Sequence, residues 1–389
     1  MFERSLRKLL PFDADVLLAK AARRAGHDDF AADIHAPLQI LLRSLTQQAD
    51  LKPIGHVVAF NDLLALLVNH LQLRSDRRQW PDIAGTSIAR PVFITGLPRT
   101  GTTLLHALLA GDERLRAPLA WEVMSPSPPA AVSSSRDLQR RRLQARSKLR
   151  WLDRLAPGFQ AIHEVGAELP QECIAITAQS LLSLRFLVTY RLPDYADHLA
   201  QADMRPAYRW HRGFLQQLQY GQTPLRWVLK APGHLGDLDA LLAEYPDAVV
   251  IQTHRDPLKT IPSLASLRLN MRRAFARTPD AGEIGAEVSA YWQYALQRCQ
   301  QVRETSGAEH FVDVCYDDLL QAPAATLAAV YAEIGLHWRA SDAQRLQQYL
   351  LANPQGKHGR HSYQADEFGL SESGLRQQFS DYRLQQGWA

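Results

Sequence analysis

The sequence has little cysteine and no long apolar run. Its 389 residues include three cysteines, Cys173, Cys299 and Cys315, an odd number spaced too widely for a CxxC metal pair. They provide no disulfide framework, so a reducing cytoplasm is the simplest location. No run approaches the roughly 18 apolar residues of a membrane-spanning helix, and the start lacks the apolar region of a secretory signal. We expect a cytoplasmic protein without a transmembrane segment.

Lysine is scarce as well. Seven of the 44 basic residues are lysines, which leaves 37 arginines, and we attribute this excess mainly to composition bias. The formal net charge is +4 and the isoelectric point about 9.0, which favours anionic ligands slightly but does not argue for nucleic acid. Hydrophobic residues make up 46% of the chain and charged residues 22%, which excludes a disordered or fibrous protein.

Short apolar runs alternate with helical patterns along the chain. Residues 12–75 have the three- and four-residue apolar spacing of helices, the last of them over 59–73. The runs that predict buried parallel strands lie at 91–95, 227–229, 248–253 and 311–314. The alternation predicts an α/β fold of the three-layer, P-loop type, with a central parallel sheet.

Helical segments over 235–244 and 324–334 separate the later strands. In such a sheet, ligands bind at the carboxyl ends of the strands. We divide the chain into a helical N-terminal extension, residues 1–89, that packs on a main domain of residues 90–389.

Residues 133–155 form an arginine-rich amphipathic pattern. It fits a nucleic-acid or membrane arm, but no aromatic platform accompanies it, and we expect a solvated helix instead. Its buried stripe is predicted at Leu138, Leu143, Leu149 and Leu152. The polar, glycine-containing tail from Asn353 predicts a surface loop.

A glycine loop follows the first predicted strand. Gly96 and Gly101 have the G-x-x-x-x-G spacing of a P-loop, which aims backbone N–H groups and a helix N-terminus at an anion. Thr102 stands where a nucleotide hydrolase has its lysine, and the cation lies inside the loop as Arg99. No aspartate ends an apolar strand as a magnesium ligand would. We expect a less highly charged donor, bound without metal.

A second anion site is predicted after the strand at 248–253. Arg255 comes at the carboxyl end of this strand, and Ser263 follows eight residues later on the next helix. A guanidinium and a hydroxyl can hold one phosphate together. The alternative is a surface ion pair between Arg255 and Asp256.

Four segments in this order resemble one family. FITGLPRTGTTLLHALL, LKAPGHL, THRDP with its serine eight residues on, and VCYDDLLQAP are similar to the sulfotransferases that use 3′-phosphoadenosine 5′-phosphosulfate (PAPS). The PRTGTT loop resembles the broad bacterial branch. The resemblance runs from about residue 90 to the end, so 90–389 would be the PAPS-binding sulfotransferase domain, and residues 1–89 match no pattern.

The resemblance implies a role for individual residues. The 5′-phosphosulfate would be bound by Arg99, Thr100, Gly101, Thr102 and Thr103. Arg255 and Ser263 would bind the 3′-phosphate, which distinguishes this donor from ATP, and Tyr316 would line the nucleotide site. A basic loop near the C-terminus usually covers the 3′-phosphate, and Lys357 and Arg360 are its candidates here.

Sulfonate transfer by in-line displacement needs a base and a stabilised leaving oxygen. Lys230 resembles the family's catalytic lysine, and Arg99 adds a second cation. Glu122 and His234 are the two candidate bases, although Glu122 as an arginine partner and His234 as a helix-start or substrate contact stay open. The segment HEVGAELPQEC, with His163, Glu164, Glu168 and Glu172, could contribute an acceptor contact or a third candidate base, but we interpret it first as a helix start with rim charges.

The product would be adenosine 3′,5′-bisphosphate, and the acceptor a hydroxylated small molecule, lipid or carbohydrate rather than nucleic acid. Two other classes stay open. One is a P-loop kinase or phosphotransferase, disfavoured by Thr102 in place of the lysine. The other is a non-catalytic nucleotide- or RNA-binding protein that uses residues 133–155. A homodimer is left open as well.

Overall fold

The computed structural model describes residues 2–155, 166–353 and 364–388. The chain begins with four helices, which are α1 (Phe2–Leu9), α2 (Ala14–Ala25), α3 (His35–Gln47) and α4 (Pro53–Gln79). Asp13 caps α2, since its carboxylate accepts a hydrogen bond from the Val16 N–H at 3.0 Å, and Gly26 ends the helix at a φ of +82°. The helices predicted over 12–75 are therefore confirmed.

Helix α4 is the longest of these four. By length and mean hydropathy it could cross a membrane, but 56% of its most apolar 18-residue window is buried inside the fold. A core helix of a soluble protein meets the same test, because both environments select apolar side chains.

Five parallel strands form the central sheet. They are β1 (Val92–Gly96), β2 (Leu115–Arg116), β3 (Arg226–Lys230), β4 (Val249–His254) and β5 (Phe311–Cys315), in the spatial order β2-β3-β1-β4-β5. Four of them confirm the predicted strands to within one residue at each end. β2 could not be predicted, since two residues are too few to show a period.

Helices connect the strands and continue to the C-terminus. They are α5 (Thr102–Ala110), α6 (Ala120–Met124), α7 (Ser135–Leu155), α8 (Cys173–Thr177), α9 (Arg185–Thr189), α10 (Pro193–Gln201), α11 (Arg205–Gln219), α12 (Leu238–Glu244), α13 (Pro257–Phe275), α14 (Ala281–Ser306), α15 (Tyr316–Gln321), α16 (Pro323–Glu333), α17 (Ala340–Ala352), α18 (Glu372–Gln378) and α19 (Ser380–Gln385).

Each face of the sheet packs into its own core. Along β1, Val92 and Ile94 join a cluster with α5 and α16, whereas Phe93 joins the cluster that contains the N-terminal helices. This division follows from the alternation of side chains along a strand, and it gives the three layers that the sequence predicted. The N-terminal helices therefore share a core with the sheet, while the division at residue 89 stays a prediction.

Two details differ from the predictions. Leu138 and Leu149 of α7 pack against Trp121, but Leu143 is 54% exposed, so the predicted stripe is wrong at that position. The surface loop predicted from Asn353, NPQGKHGRHSY, lies outside the described residues apart from Asn353 itself, and residues 364–388 after it contain α18 and α19, which the sequence did not predict, and bury Phe379 in the main core. The spaced apolar residues of this segment did not predict helices because its overall composition is polar.

Candidate active site

Four strands end at one edge of the sheet. β1 ends at Gly96, β3 at Lys230, β4 at His254 and β5 at Cys315. β3 and β4 flank β1, so the loop that follows β1 lies between the ends of its two neighbours. This is the edge at which parallel sheets bind ligands.

The loop after β1 has an unusual backbone. Gly96 and Gly101 have φ values of +135° and +88°, and Arg99 adopts +72° although it carries a side chain. A Cβ atom at Gly96 would overlap the carbonyl oxygen of Thr253 in β4. Helix α5 starts at Thr102, so the N–H groups of its first turn have no acceptor within the helix. The loop and helix together form a cradle for an anion.

The three threonines of this loop have different surroundings. Thr100 is buried, and its hydroxyl donates to the Leu97 carbonyl at 2.6 Å and lies 2.5 Å from the Thr253 hydroxyl. Its side chain therefore fixes the loop to β4. Thr102 is 3% exposed at the start of α5, whereas Thr103 is exposed. Of the three hydroxyls, that of Thr103 is the most accessible to a ligand.

Lys230 joins the end of β3 to this loop. Its Nζ donates a hydrogen bond to the Thr103 hydroxyl at 3.2 Å and forms an ion pair with the Glu172 carboxylate. The Lys230 side chain is 2% exposed and that of Glu172 13%. The helix-start interpretation is confirmed for Glu172, which directly precedes α8, but the rim-charge interpretation is wrong for it, because its carboxylate is paired with a buried lysine.

Arg255 lies on the other side of the loop. Its Nη1 donates to the Arg99 carbonyl at 2.9 Å, and its guanidinium carbon lies 4.2 Å from the centroid of the Tyr316 ring. Asp256 does not neutralise it, since that carboxylate pairs with Arg383 and caps α13 through the Leu258 N–H. Among the described residues, no carboxylate lies within ion-pair distance of Arg255, and its buried Nε has no hydrogen-bond partner.

The structure thus brings together most of the residues proposed for the donor. Arg99, Arg255 and Tyr316 are in contact, and the Tyr316 ring lies 3.0 Å from where a Gly101 Cβ would be. Ser263 lies two turns into α13 and is partly buried, and no hydrogen bond joins it to the other described residues of the site, so its role stays a prediction. Lys357 and Arg360 lie outside the described residues.

Glu122 is already engaged. Its Oε1 accepts a hydrogen bond from Arg116 Nη2 at 3.0 Å, and its Oε2 accepts one from the Leu119 N–H at 2.9 Å. The carboxylate is 8% exposed and belongs to the start of α6. This is the arginine-partner role that the sequence left open for it.

His234 is buried behind Lys230. Its Nδ1 lies 2.7 Å from the Tyr208 hydroxyl on α11, and its ring contacts Phe93 edge-on. Burial lowers the pKa of His234 well below its usual value, because a charged imidazole is costly in an apolar environment. At neutral pH the ring is uncharged and 2% exposed, which makes it a weak and poorly accessible base.

The C-terminal segment returns to this edge of the sheet, which the sequence did not predict. The Tyr382 hydroxyl lies 2.8 Å from Nδ1 of His254, whose Nε2 lies 2.8 Å from Asp313 Oδ1. Arg383 pairs with Asp256, as described above, and so fastens α19 to the start of α13. The partners in these two contacts, Tyr382 with His254 and Arg383 with Asp256, are more than 120 residues apart, so no local sequence pattern predicts them.

Comparison with known proteins agrees with this geometry. The sulfotransferase family matches residues 91–340. The omega-hydroxy-beta-dihydromenaquinone-9 sulfotransferases Stf3 of Mycobacterium bovis and Mycobacterium tuberculosis are each 28% identical over 282 residues, covering 69% of this chain and 69% of theirs. The crystal structure of STF1 from M. tuberculosis H37Rv has a TM-score of 0.82 at 31% identity and covers 95% of this chain and 98% of that chain. STF9 from Mycobacterium avium has a TM-score of 0.85 at 28% identity, with 96% of each chain covered.

Proposed function

The chain belongs to the sulfotransferase family, and from this premise we propose that it transfers a sulfonate group from PAPS to a hydroxyl of its acceptor. Adenosine 3′,5′-bisphosphate would be the second product, and no metal would take part. Under this proposal the loop from Arg99 to Thr103 binds the 5′-phosphosulfate, and Arg255 with Ser263 binds the 3′-phosphate.

One observation supports this donor above the others. The phosphate loop has a cation on each side, Lys230 bonded to Thr103 and Arg255 bonded to the Arg99 carbonyl, and Arg255 has no carboxylate partner among the residues that the structure describes. A guanidinium left unpaired beside a phosphate loop suits a second phosphate group. PAPS carries such a group at its 3′ position, which ATP lacks.

Transfer would proceed in line. The acceptor oxygen attacks sulfur, the bond between sulfur and the bridging phosphate oxygen breaks, and the hydroxyl proton passes to a base. Lys230 would stabilise the negative charge on the bridging oxygen, a role supported by the hydrogen bond from its Nζ to the Thr103 hydroxyl of the loop. The first-turn N–H groups of α5 would stabilise the sulfonate oxygens.

We propose Glu172 as the base. Its carboxylate lies on Lys230 at the loop, whereas Glu122 is engaged by Arg116, and His234 is buried with its pKa lowered well below the usual value, which makes it a weak base. Binding of the donor would give Lys230 a second anionic partner. The attraction between Lys230 and the Glu172 carboxylate would then weaken, and the carboxylate could accept the proton of the acceptor hydroxyl.

We further propose that the acceptor binds against apolar side chains near Glu172. Ile174 and Leu184 approach Gly233, which follows Lys230 by three residues, to within 3.8 Å and 3.4 Å of the position of a Gly233 Cβ atom. The related Stf3 proteins are named for an ω-hydroxylated menaquinone. A hydroxylated lipid is therefore the first acceptor class to test here, ahead of carbohydrates.

The donor is tested by isothermal titration calorimetry with adenosine 3′,5′-bisphosphate, adenosine 5′-monophosphate and ATP with magnesium. We expect the bisphosphate to bind at least tenfold more tightly than the monophosphate, because one charged hydrogen-bond pair contributes about 1.5–3 kcal/mol. Arg255→Ala should abolish this difference and leave the affinity for the monophosphate nearly unchanged.

Tight binding of ATP with magnesium but not of the bisphosphate would contradict the proposal and favour the kinase alternative. Turnover is then measured as sulfonate transfer from labelled PAPS to a lipid extract, with mass spectrometry of the products. The absence of any sulfonated product, with bisphosphate binding intact, would indicate a non-catalytic nucleotide-binding protein.

A further inference from the structure

A small set of arginines has buried nitrogen atoms without a hydrogen-bond partner. Among the described residues these are Arg77, Arg212, Arg226, Arg255, Arg268, Arg272 and Arg298. Four of them pair with a carboxylate through another nitrogen, namely Arg212, Arg268, Arg272 and Arg298. Arg226 donates to two backbone carbonyls, and Arg255 faces the donor site. Arg77 is left, away from that site.

Arg77 lies near the C-terminal end of α4 and is only half-buried. Its Nε and Nη2 are buried without a partner, and no described carboxylate pairs with it. Its guanidinium packs on α11 at Gly213, where a Cβ atom would overlap Nη2. The fold therefore makes room for this charge without neutralising it. Burial, together with the neighbouring Arg74, lowers the pKa of Arg77, as an uncompensated cation requires.

A cleft of about 410 Å³ opens at this guanidinium. Its walls include Arg77 and Arg78 of α4 and Arg209 and Trp210 of α11. This volume lies within the range of small-molecule sites, about 300–1,000 Å³. Neither Lys230 nor any phosphate-loop residue is among the described residues that line it, so it is separate from the donor site.

The charges around the cleft do not balance. Four arginines, Arg74, Arg77, Arg78 and Arg209, face two aspartates. Asp29 is shared by two of them, at 3.1 Å from Arg74 and 2.6 Å from Arg78. Of the remaining guanidinium groups, that of Arg77 has no described carboxylate partner, and that of Arg209 forms no ion pair among the described residues and interacts only at longer range with Asp203.

Two aromatic rings complete the wall. His70 stacks on Trp210 with their ring centroids 4.2 Å apart and their planes at 5°. Burial lowers the pKa of His70 to about 4, so the imidazole is neutral at pH 7 and adds no charge. Trp210 has a buried Nε1 without a hydrogen-bond partner among the described residues.

We propose that this cleft is a second anion-binding site, which takes a small organic anion with a phosphate or sulfonate group, bound through Arg77 and Arg209 beside Trp210. Guanidinium groups bind both kinds of oxyanion through paired N–H donors. The site does not depend on the proposed PAPS reaction, because it shares no lining residue with the donor edge.

The test is isothermal titration calorimetry on the full chain with saturating adenosine 3′,5′-bisphosphate, which occupies the donor site. The probes are 1-naphthyl phosphate, naphthalene-1-sulfonate and the uncharged naphthalene-1-methanol. We expect saturable binding of both anions, tighter for the phosphate because of its higher charge, and at least tenfold weaker binding of the alcohol. Equal binding of the alcohol, or no binding of either anion, would overturn the proposal.

Variants locate the binding. Arg77→Met should weaken the affinity for 1-naphthyl phosphate at least tenfold. Arg209 is at an exposed position that the fold does not need, and Arg209→Gln should weaken the same affinity at least threefold. The matched control is Arg212→Met, on α11 like Arg209. Arg212 pairs with Glu244 and does not line the cleft. Unchanged affinity in both Arg77→Met and Arg209→Gln, or an equal loss in Arg212→Met, would show that the cleft is not the site.

Discussion

Variants of the buried pair of Lys230 and Glu172 can separate an effect on the transfer rate from an effect on the free energy of unfolding. Lys230→Met removes the cation at the Thr103 hydroxyl and leaves Glu172 as a nearly buried charge without its lysine. Loss of one preorganised donor at a developing oxyanion costs about 2.7–4 kcal/mol of activation free energy, so we expect kcat to fall by about 10²–10³-fold. Breaking a buried pair costs about 3–5 kcal/mol of stability, and the partial exposure of Glu172 places the expected loss near the lower limit.

The double variant Lys230→Met/Glu172→Gln should recover most of this stability, because no unpaired buried charge remains. Its turnover should stay as low as that of Lys230→Met. Thermal or urea unfolding gives the free energy of unfolding, and single-turnover transfer from labelled PAPS gives the rate of the chemical step. If the folded Lys230→Met variant kept the single-turnover rate of the parent, the role of Lys230 would be structural and the reasoning wrong.

A matched control lies outside the site. Arg272, 3% exposed on α13, pairs with Glu287 at 2.5 Å, so Arg272→Met also breaks a buried pair. We expect it to lose a similar amount of stability while the transfer rate of the folded protein stays within about threefold of the parent, which is the scatter allowed for structural effects.

Three further predictions follow from the same contacts. Gly96→Ala should lower the free energy of unfolding by about 2 kcal/mol or more, since its φ of +135° and the overlap with Thr253 both penalise a side chain, and a melting temperature equal to the parent would contradict this. Glu122→Gln should lose far less turnover than Glu172→Gln in the transfer assay, and the reverse order would assign the base to Glu122. Burial raises the pKa of Asp237 from 3.8 to about 7, so between these pH values the folded state holds a proton on Asp237 that the unfolded state has lost. The free energy of unfolding should therefore fall as the pH rises from about 4 to about 7. Asp237→Asn should flatten this slope in urea unfolding measured as a function of pH.

The sequence was sufficient for the strands and the loop because their signals are local. Apolar runs, two glycines five residues apart and a helical pattern after them predicted β1, the phosphate loop and α5. Arg255 was also predicted correctly at the end of its strand. These features need only the neighbouring residues, so they can be inferred before the fold is known. Cytoplasmic location and a homodimer stay predictions.

The partners of the charged residues could not be inferred in this way. Glu172 lies 58 residues before Lys230, and it was interpreted as a rim charge because nothing in its own segment points to a lysine. The sequence leaves Glu122 open as a base or as an arginine partner, and the contact with Arg116, six residues before it, decides for the partner. Which of several carboxylates meets a given cation depends on how the strands are ordered.

The order of the strands also explains how this loop functions without the usual P-loop lysine. β1 lies between β3 and β4, so Lys230 and Arg255 reach the loop from opposite sides. Neighbouring strands lie about 4.8 Å apart, which places the two strand ends about 10 Å from each other across β1. A single triphosphate bound along one helix N-terminus would use one cation within the loop. Two separated cations, one neutralised by Glu172 and one unpaired, suit a donor whose anionic groups lie on either side of a ribose. This argument for PAPS comes from the topology of the sheet, and neither the loop residues nor the net charge would have given it.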